Sequence, residues 1–571
     1  MLVHFSEASN RQPGPAPVSN LGVPYLSPTL VNRHGGRILL PSFAALAPGA
    51  RPPAATAYRA NTLLIPDSVL RDPNAVASLD QALATVGLAL EVPPPLIESA
   101  PSLRPWLREL TDVPRAVVLR VRDDAGPTTV DAWVALQAIR AAARRTDVAE
   151  TIAISADTSR IGLDHLLSAA TISGNPITEG NPITEGNPIT EGNPITEGNS
   201  GASGAYFSST ARIPVELLAP APRRTPVKEL PASRRPVVAV LDTGIRPHPW
   251  LGMPDSDPDS FLSVDDPLQA AIHHEEVRVR DTGGLDFPVL DGYWDVPDPI
   301  EPTVGALPTH IGHGTFIAGI FRQAAPDARV RSIRIMHTDG IVHESVLLLS
   351  IAVLTAQIRT ALNSGDLAGM VDVVSLSLGY FDEYPADLVY SGQFSALLDG
   401  LTDLGVAVVA AAGNQATTQP YFPAAFATQP GADPLLPVVS VGALNPNGSK
   451  AMFSNDGSWV TAWATGASVV SSYPTDLNGS FEPMITAGPP DSHLHRLRET
   501  LDPDDFRGGF AVWSGTSFST PLLAAVLADA LLTEAAEHPG DPASDLGSTD
   551  RLKARERIAR ALRRIGAPDY A

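Results

Sequence analysis

The chain has 571 residues and no cysteine, with 44% hydrophobic residues, 18% charged residues and a formal net charge of −22 at pH 7. This length allows two or more domains and at least one large core. The acidic charge argues against a nucleic-acid-binding protein, because neutralising phosphates requires clustered lysine and arginine. The missing cysteines exclude disulfides, cysteine nucleophiles and thiolate metal sites.

The N-terminal residues lack the basic segment and apolar run of a secretory signal, so none is predicted. The longest apolar stretch of the C-terminal third, residues 521–532, is too short to span a bilayer. We therefore expect a cytoplasmic protein with neither a membrane nor a nucleic-acid partner. Secretion by another route stays open.

The first half of the chain divides into three segments. Residues 1–56 are rich in Pro, Gly and Ala and predict an irregular leader. Residues 57–160 predict a small α+β domain, and residues 161–235 a linker. Four tandem copies of Asn-Pro-Ile-Thr-Glu-Gly fill residues 175–198, and their Pro, Gly and scarce apolar surface predict a flexible spacer rather than a β-helix.

The elements predicted for the α+β domain follow from its apolar spacing. Apolar residues recur at helical intervals in two segments, and short apolar runs predict the strands. The helices are predicted at residues 75–88 and 130–143, and the strands at 61–66, 116–121 and 152–154.

Residues 236–535 alternate apolar runs with helical segments. Strands that are apolar nearly throughout are typical of a parallel sheet covered on both faces, so this half predicts a doubly wound α/β fold. A C-terminal segment, 536–571, follows, with a basic helix at 551–564 expected to pack on the acidic body. The predicted strands lie at 237–241, 330–335, 371–378, 406–411 and 438–441.

Three motifs place reactive side chains at the ends of predicted elements. Asp242 follows the first apolar run, and the carboxyl ends of parallel strands are where such folds hold their sites. His313 stands between two glycines, which suits a helix start packed closely against a neighbour. Ser517 begins a helical segment, where the helix dipole and backbone N–H groups would favour a developing oxyanion.

Each motif alone also has a structural interpretation. A strand-end Asp can cap a turn, a lone His can be a core residue, and the Ser/Thr run before Pro521 can be a helix N-cap. His310 and His313 could form a metal pair, but no third ligand stands at suitable spacing. No metal site is predicted from this pair.

Together, in the order Asp, His, Ser, the motifs resemble the subtilase family of serine proteases. The resemblance covers roughly residues 236–535 and includes four intervening blocks. These are Val-Asp-Val-Val-Ser-Leu-Ser-Leu-Gly at 371–379, Val-Val-Ala-Ala-Ala-Gly-Asn at 408–414, Phe-Pro-Ala at 422–424 and Phe-Ser-Asn-Asp-Gly at 453–457.

The resemblance implies a serine endopeptidase that hydrolyses peptide bonds without a required cofactor. It implies that Ser517 is the nucleophile, His313 the general base and Asp242 the residue that orients His313. It further implies that Asn414 supplies an oxyanion-hole donor. The substrate-binding residues that it implies are an edge strand, Ser377, Leu378 and Gly379, and a pocket wall, Ala411, Ala412 and Gly413.

The chain also departs from the family pattern. Residues 252–304 form an acidic insertion that could line the cleft and favour basic substrates, bind Ca²⁺, or be a solvated surface loop. A second insertion at 476–505 could border the cleft. The family's His-Gly-Thr-His is here His313-Gly-Thr-Phe316, which spares the catalytic His.

Two interpretations of the N-terminal half stay open. The α+β domain lies where subtilases often carry a propeptide, so the protein could be made as a latent precursor inhibited by its own N-terminal domain. The domain could instead recruit a partner. The alternative to an enzyme is a catalytically inactive subtilase fold that serves as a binding or scaffold protein.

Overall fold

The computed structural model describes residues 3–6, 26–46, 50–110, 112–144, 160–170, 212–297, 307–385, 392–428, 435–477, 485–487, 496–498 and 506–568. The repeat predicted to be a spacer (175–198) and the strand predicted at 152–154 lie outside these residues. So does most of the second insertion, 476–505.

The described elements are twenty strands, eleven α-helices and five 3₁₀ turns. The strands are β1 (Val3–Phe5), β2 (Gly36–Leu39), β3 (Thr56–Pro66), β4 (Leu88–Glu91), β5 (Pro114–Val121), β6 (Gly162–Ala169), β7 (Ile213–Pro214), β8 (Val237–Asp242), β9 (Leu262–Val264), β10 (Arg329–Arg334), β11 (Ile341–His343), β12 (Val373–Leu376), β13 (Leu378–Gly379), β14 (Ala407–Ala411), β15 (Val439–Leu444), β16 (Ala462–Thr465), β17 (Val469–Ser472), β18 (Ile485–Ala487), β19 (Arg496–Arg498) and β20 (Phe510–Trp513). The helices are α1 (Pro28–Arg33), α2 (Asp67–Leu70), α3 (Pro73–Ala84), α4 (Leu96–Ser99), α5 (Ala132–Ala143), α6 (Asp266–Gly283), α7 (His313–Ala324), α8 (Glu344–Ser364), α9 (Gly392–Asp403), α10 (Thr516–Glu537) and α11 (Arg551–Arg564). The 3₁₀ turns span Pro101–Trp106, Val227–Glu229, Leu367–Gly369, Ala424–Thr428 and Phe506–Gly508.

The large unit, residues 212–568, is built on an eight-stranded sheet in the order β1-β16-β15-β14-β12-β8-β10-β9. Its seven strands from the large unit pair in parallel, and only β1 is antiparallel to its neighbour. Alternate residues of β8 enter two separate cores, one with α8 and α9 and the other with α7 and α10. Helices therefore cover both faces of a mostly parallel sheet, which confirms the predicted doubly wound fold.

The N-terminal unit, residues 26–170, is a second sheet in which β2 to β6 pair antiparallel. One face forms a core with α3 and α5. The other face packs against α6 and α8 of the large unit. This is the α+β domain predicted from the sequence, but it starts earlier and ends later than expected because β2 and β6 complete its sheet.

The leader and the linker contain bound segments where the sequence predicts irregular chain. β1 pairs with β16 at the edge of the large sheet, and α1 leads into β2. β7 pairs with β20, and the Arg212 guanidinium donates hydrogen bonds to the carbonyls of Ile311 and Pro308. These segments are stabilised by partners that are distant in the chain, and local composition does not predict such partners.

The acidic insertion at 252–304 is also structured where it is described. It forms α6, whose buried face includes Glu275 and Glu276. Arg115 of the N-terminal unit donates to Glu275 at 3.1 Å. A solvated surface loop is therefore the wrong description of α6, which instead supports the N-terminal sheet.

The C-terminal helix α11 lies at the position of the predicted basic helix and packs on acidic groups. Arg560 pairs with Asp541 and Arg564 with Glu534. Two other helices, α8 and α10, are long and apolar enough to cross a membrane, but 78% and 83% of their apolar windows are buried inside the protein. Such burial is typical of core helices.

Candidate active site

The three residues predicted to form a triad lie at the carboxyl ends of the central strands. Asp242 is the last residue of β8, His313 the first of α7 and Ser517 the second of α10. Asp242 Oδ1 lies 2.7 Å from His313 Nδ1, and both side chains are buried. This contact fixes the orientation of the His313 ring through Nδ1, so the nitrogen that can exchange a proton is Nε2.

Glycines on both sides of His313 are required by the backbone. Gly312 has φ +82°, a conformation that residues with a side chain rarely adopt. A Cβ on Gly314 would lie 2.1 Å from the Gly244 carbonyl oxygen. The Gly-His-Gly pattern thus lets the start of α7 approach the turn after Asp242.

Ser517 is not yet hydrogen-bonded to His313. Its Oγ donates to the Ser377 carbonyl at 3.1 Å, and His313 Nε2 has no hydrogen-bond partner among the described residues. The His313 ring contacts Phe518, with ring centroids 5.5 Å apart. Proton transfer to His313 requires the Ser517 hydroxyl to leave the Ser377 carbonyl and donate to Nε2 instead.

Asn414 is positioned by the residue that precedes Ser517. Its Oδ1 accepts hydrogen bonds from the Thr516 N–H and the Thr516 hydroxyl, both at 2.9 Å. Its Nδ2 atom is buried and has no hydrogen-bond partner among the described residues. The amide orientation therefore leaves both Nδ2 hydrogens available to a negatively charged oxygen.

The cleft is occupied by the chain itself. The Ser517 N–H donates to the Ala170 carbonyl at 2.9 Å, and the Ala170 N–H donates to the Ser377 carbonyl at 3.0 Å. The strand before Ala170, β6, pairs antiparallel with β11 on one side and β13 on the other. Ser168 is the residue that faces both neighbours, Ile341 and Gly379.

The predicted substrate-binding residues fall into two groups. Leu378 and Gly379 form β13 and pair with β6, and Ser377 contacts both Ala170 and Ser517. The second group, Ala411, Ala412 and Gly413, is buried at the end of β14. No described contact joins this group to the chain in the cleft, so its role as a pocket wall stays a prediction.

Asp295 lies beside the predicted triad, although no motif in the sequence singles it out. Its Oδ2 accepts from the Thr243 hydroxyl at 3.0 Å and from the Gly312 N–H at 2.7 Å. It thereby ties the residue after Asp242 to the residue before His313. Complete burial raises the pKa of Asp295 to about 6, although Arg334 opposes this rise. The only sequence signal was one carboxylate among many in the acidic insertion.

Substituting Asp295 with Asn is expected to change how stability depends on pH. Because the folded-state pKa lies above the ordinary value, this carboxyl favours folding most at low pH, and that contribution is lost as the pH rises through about 6. The unfolding free energy of Asp295→Asn, measured relative to that of its parent, should therefore rise by up to about 3 kcal/mol from pH 4 to pH 8. Urea unfolding of both proteins in a Ser517→Ala background measures this. A pH-independent difference would contradict the assignment.

His310 does not share a ligand position with His313. Its Nδ1 lies 2.8 Å from the Thr309 hydroxyl, and its ring centroid is 5.9 Å from that of His313. Burial lowers the pKa of His310 to about 3, with the neighbouring His313 adding to the effect. His310 is therefore a neutral, packed residue beside the site.

Comparison with known proteins identifies the family. The sequence model of the Subtilase family matches residues 233–546, more than half of the chain. The chain is 30% identical over 213 residues to the thermophilic serine proteinase of Bacillus sp. (strain AK1), covering 34% of this chain and 45% of that protein. It is 28% identical over 256 residues to subtilisin BL of Lederbergia lenta, covering 43% and 70%.

Solved structures give a weaker likeness. The patellamide maturation protease PatA is 22% identical and aligns over 53% of this chain and 80% of that chain, with a TM-score of 0.29, which carries no weight for function. The chain spans 45% to 70% of the length of the two curated relatives above. The family match and these relatives support a serine-type endopeptidase. With its mostly parallel sheet and its Asp, His and Ser at the carboxyl ends of the central strands, the chain belongs to the subtilase family.

Proposed function

We propose that this protein is a serine endopeptidase that uses Ser517, His313 and Asp242 and is made as a latent precursor. The observation that supports this most is the hydrogen bond from the Ser517 N–H to the Ala170 carbonyl, at 2.9 Å. A peptide carbonyl thus lies at the start of the helix that carries the nucleophile. Backbone N–H groups at a helix N-terminus favour negative charge, as an oxyanion requires.

The proposed chemistry uses these contacts. Ser517 Oγ attacks the carbonyl carbon while His313 Nε2 takes the hydroxyl proton. Asp242, 2.7 Å from the opposite ring nitrogen, stabilises the imidazolium that forms. The oxyanion receives hydrogen bonds from the Ser517 N–H and from Asn414 Nδ2. His313 then donates its proton to the leaving amine, and water releases the acyl group by the reverse sequence.

Substrates are proposed to bind as an added strand between β11 and β13. Main-chain hydrogen bonds supply much of the affinity in this mode, which makes it tolerant of sequence. Gly379 lets β13 pack closely against the neighbouring segment, since a Cβ there would lie 2.3 Å from the Tyr421 ring and 2.5 Å from the Phe422 carbonyl oxygen. Side-chain preference would then come from the pocket wall at Ala411, Ala412 and Gly413.

The N-terminal unit is proposed to be the inhibitor, since its strand β6 fills the position of a substrate. Buried ion pairs hold it in place. His165 Nδ1 lies 2.5 Å from Glu344, and its Nε2 lies 2.9 Å from Glu383. Burial alone would lower the pKa of His165, but the two carboxylates hold it well above its ordinary value. Charge-assisted hydrogen bonds from an imidazolium to two carboxylates stabilise β6 in the cleft.

Self-cleavage tests this proposal, because it needs the nucleophile, the base and the bound strand together. We expect the purified wild-type chain to separate into two fragments and the Ser517→Ala chain to stay intact. Ser519→Ala is the matched control, since Ser519 is a buried serine of the same helix that donates to the Thr516 carbonyl. This control should still be cleaved. An uncleaved wild type that also lacks peptidase activity would favour an inactive scaffold.

A further inference from the structure

Three buried histidines, none of them in the predicted triad, lie together where the two units meet. His34 belongs to the N-terminal unit, and His337 and His343 belong to the large unit. One ring nitrogen from each lies within 4.8 Å of those of the other two. The three ring centroids are 4.8 Å, 5.2 Å and 5.2 Å apart.

These separations suit a common metal ion. Imidazole nitrogens at ~2.0 Å from a tetrahedral Zn²⁺ lie ~3.3 Å from one another and set their ring centroids ~5 Å apart. His34 Nδ1 and His343 Nε2 are 3.1 Å apart. Small adjustments of the rings would therefore admit an ion between them.

The carboxylates around the histidines orient two of the rings. His34 Nε2 lies 3.0 Å from Asp339, and His343 Nδ1 lies 2.8 Å from Glu276. Imidazoles that bind metal commonly donate their second N–H to a carboxylate in this way. If both protons are donated there, two lone pairs face each other across the 3.1 Å gap, and a cation between them would relieve their repulsion.

His337 points to a metal ion rather than a shared proton. A proton shared between His34 and His343 would satisfy their contact, but it would not account for the third imidazole, His337. His337 Nε2 is buried and makes no hydrogen bond among the described residues, although Glu276 lies 3.4 Å away. Three imidazoles with one position left to water are a familiar set of ligands for Zn²⁺.

We propose that His34, His337 and His343 bind one transition-metal ion, of which Zn²⁺ is the best match. His34 and His343 are 309 residues apart in the sequence, so the ion would cross-link the two units only while they are docked. It would thereby hold β6 in the cleft. This role, though not the binding itself, rests on the latency proposed above.

Zinc binding by the full-length Ser517→Ala chain tests the proposal, because this background cannot cleave itself. Equilibrium dialysis followed by elemental analysis should find one equivalent of Zn²⁺, and Co²⁺ should give the absorption spectrum of a tetrahedral imidazole site. Zn²⁺ should raise Tm by ~5 °C or more, and a chelator should reverse the shift. Neither readout depends on peptidase activity, so failure of the metal site and failure of the enzyme are distinguishable.

Variants of the ligands decide the location. His34→Ala and His337→Leu should each lose at least 90% of the bound Zn²⁺. His337→Leu removes one ion-pair contact, 3.4 Å from Glu276, but Glu276 keeps its 2.8 Å contact with His343, so the fold, checked by circular dichroism, should be retained. His538→Ala is the control, because Glu534, Glu537 and His538 form the other described group of three possible ligands. The proposal would be overturned if the Ser517→Ala chain retained no Zn²⁺ after dialysis, or if only His538→Ala lost the bound Zn²⁺.

Discussion

Replacing either Ser517 or His313 with Ala is expected to lower peptide turnover by a factor on the order of 10⁶. The double variant should lose no more than either single one. Without His313 the Ser517 hydroxyl keeps its proton and is a poor nucleophile, and without Ser517 the base has no partner. The two residues therefore act as one unit, and their effects do not add. Replacing Asp242 with Asn should cost less, about 10⁴, since it disturbs the His313 tautomer and leaves the nucleophile in place.

Turnover of a fluorogenic peptide by self-processed enzyme and by each variant measures this effect. Variants that cannot process themselves should be compared after mild cleavage in the 171–211 segment by an added protease, which is then inhibited. Ser519→Ala, the neighbouring buried serine, should stay within about a few-fold of wild type. Additive losses in the double variant, or an equal loss in Ser519→Ala, would contradict the roles given to Ser517 and His313.

Replacing Arg234 with Ala is expected to destabilise the large unit by about 3–5 kcal/mol. Arg234 donates two hydrogen bonds to Asp372, at 2.6 Å and 2.8 Å, and both side chains are buried. Burial alone would raise the pKa of Asp372, but Arg234 holds it below its ordinary value. Removing the guanidinium takes two hydrogen bonds from the buried Asp372 carboxylate and leaves it the one from the Val237 N–H.

The free energy of unfolding by urea, measured in a Ser517→Ala background, checks this effect. Arg120→Ala is the matched control, since Arg120 pairs with Glu91 at 3.1 Å with about half of each side chain exposed. Exposed pairs of this kind contribute about 0–1 kcal/mol. Equal losses of unfolding free energy in the two variants would show that burial does not increase the contribution of the Arg234–Asp372 pair to stability.

The parts of this protein that the sequence predicts well are those whose signals are local. The central strands are apolar along their whole length because both faces are covered, and they appear within a few residues of the predicted bounds. Asp242, His313 and Ser517 stand at element ends that Gly and Pro residues mark clearly. Asn414 follows a strand of the same kind.

The parts that the sequence does not predict depend on partners distant in the chain. β6 contains Asp164 and His165, two residue types that are typical of loops. They are buried because Arg59 pairs with Asp164, and Glu344 and Glu383 pair with His165. Asp295 likewise gains its role from Thr243 and Gly312. The histidine cluster joins residues from both units, so no spacing in the sequence predicts it. The cytoplasmic location stays a prediction, and calcium binding by the acidic insertion stays one of its open alternatives.

The measurement that most directly tests the central claim is the mass and N-terminal sequence of the fragments that the wild-type chain makes of itself. The carbonyl at Ser517 belongs to Ala170, so the bond broken should be the one between Ala170 and Thr171. The account predicts a new N-terminus at Thr171, formed at a rate independent of protein concentration and absent in Ser517→Ala. A first cut elsewhere, such as within the repeats at 175–198, or cleavage that persists in Ser517→Ala, would contradict it.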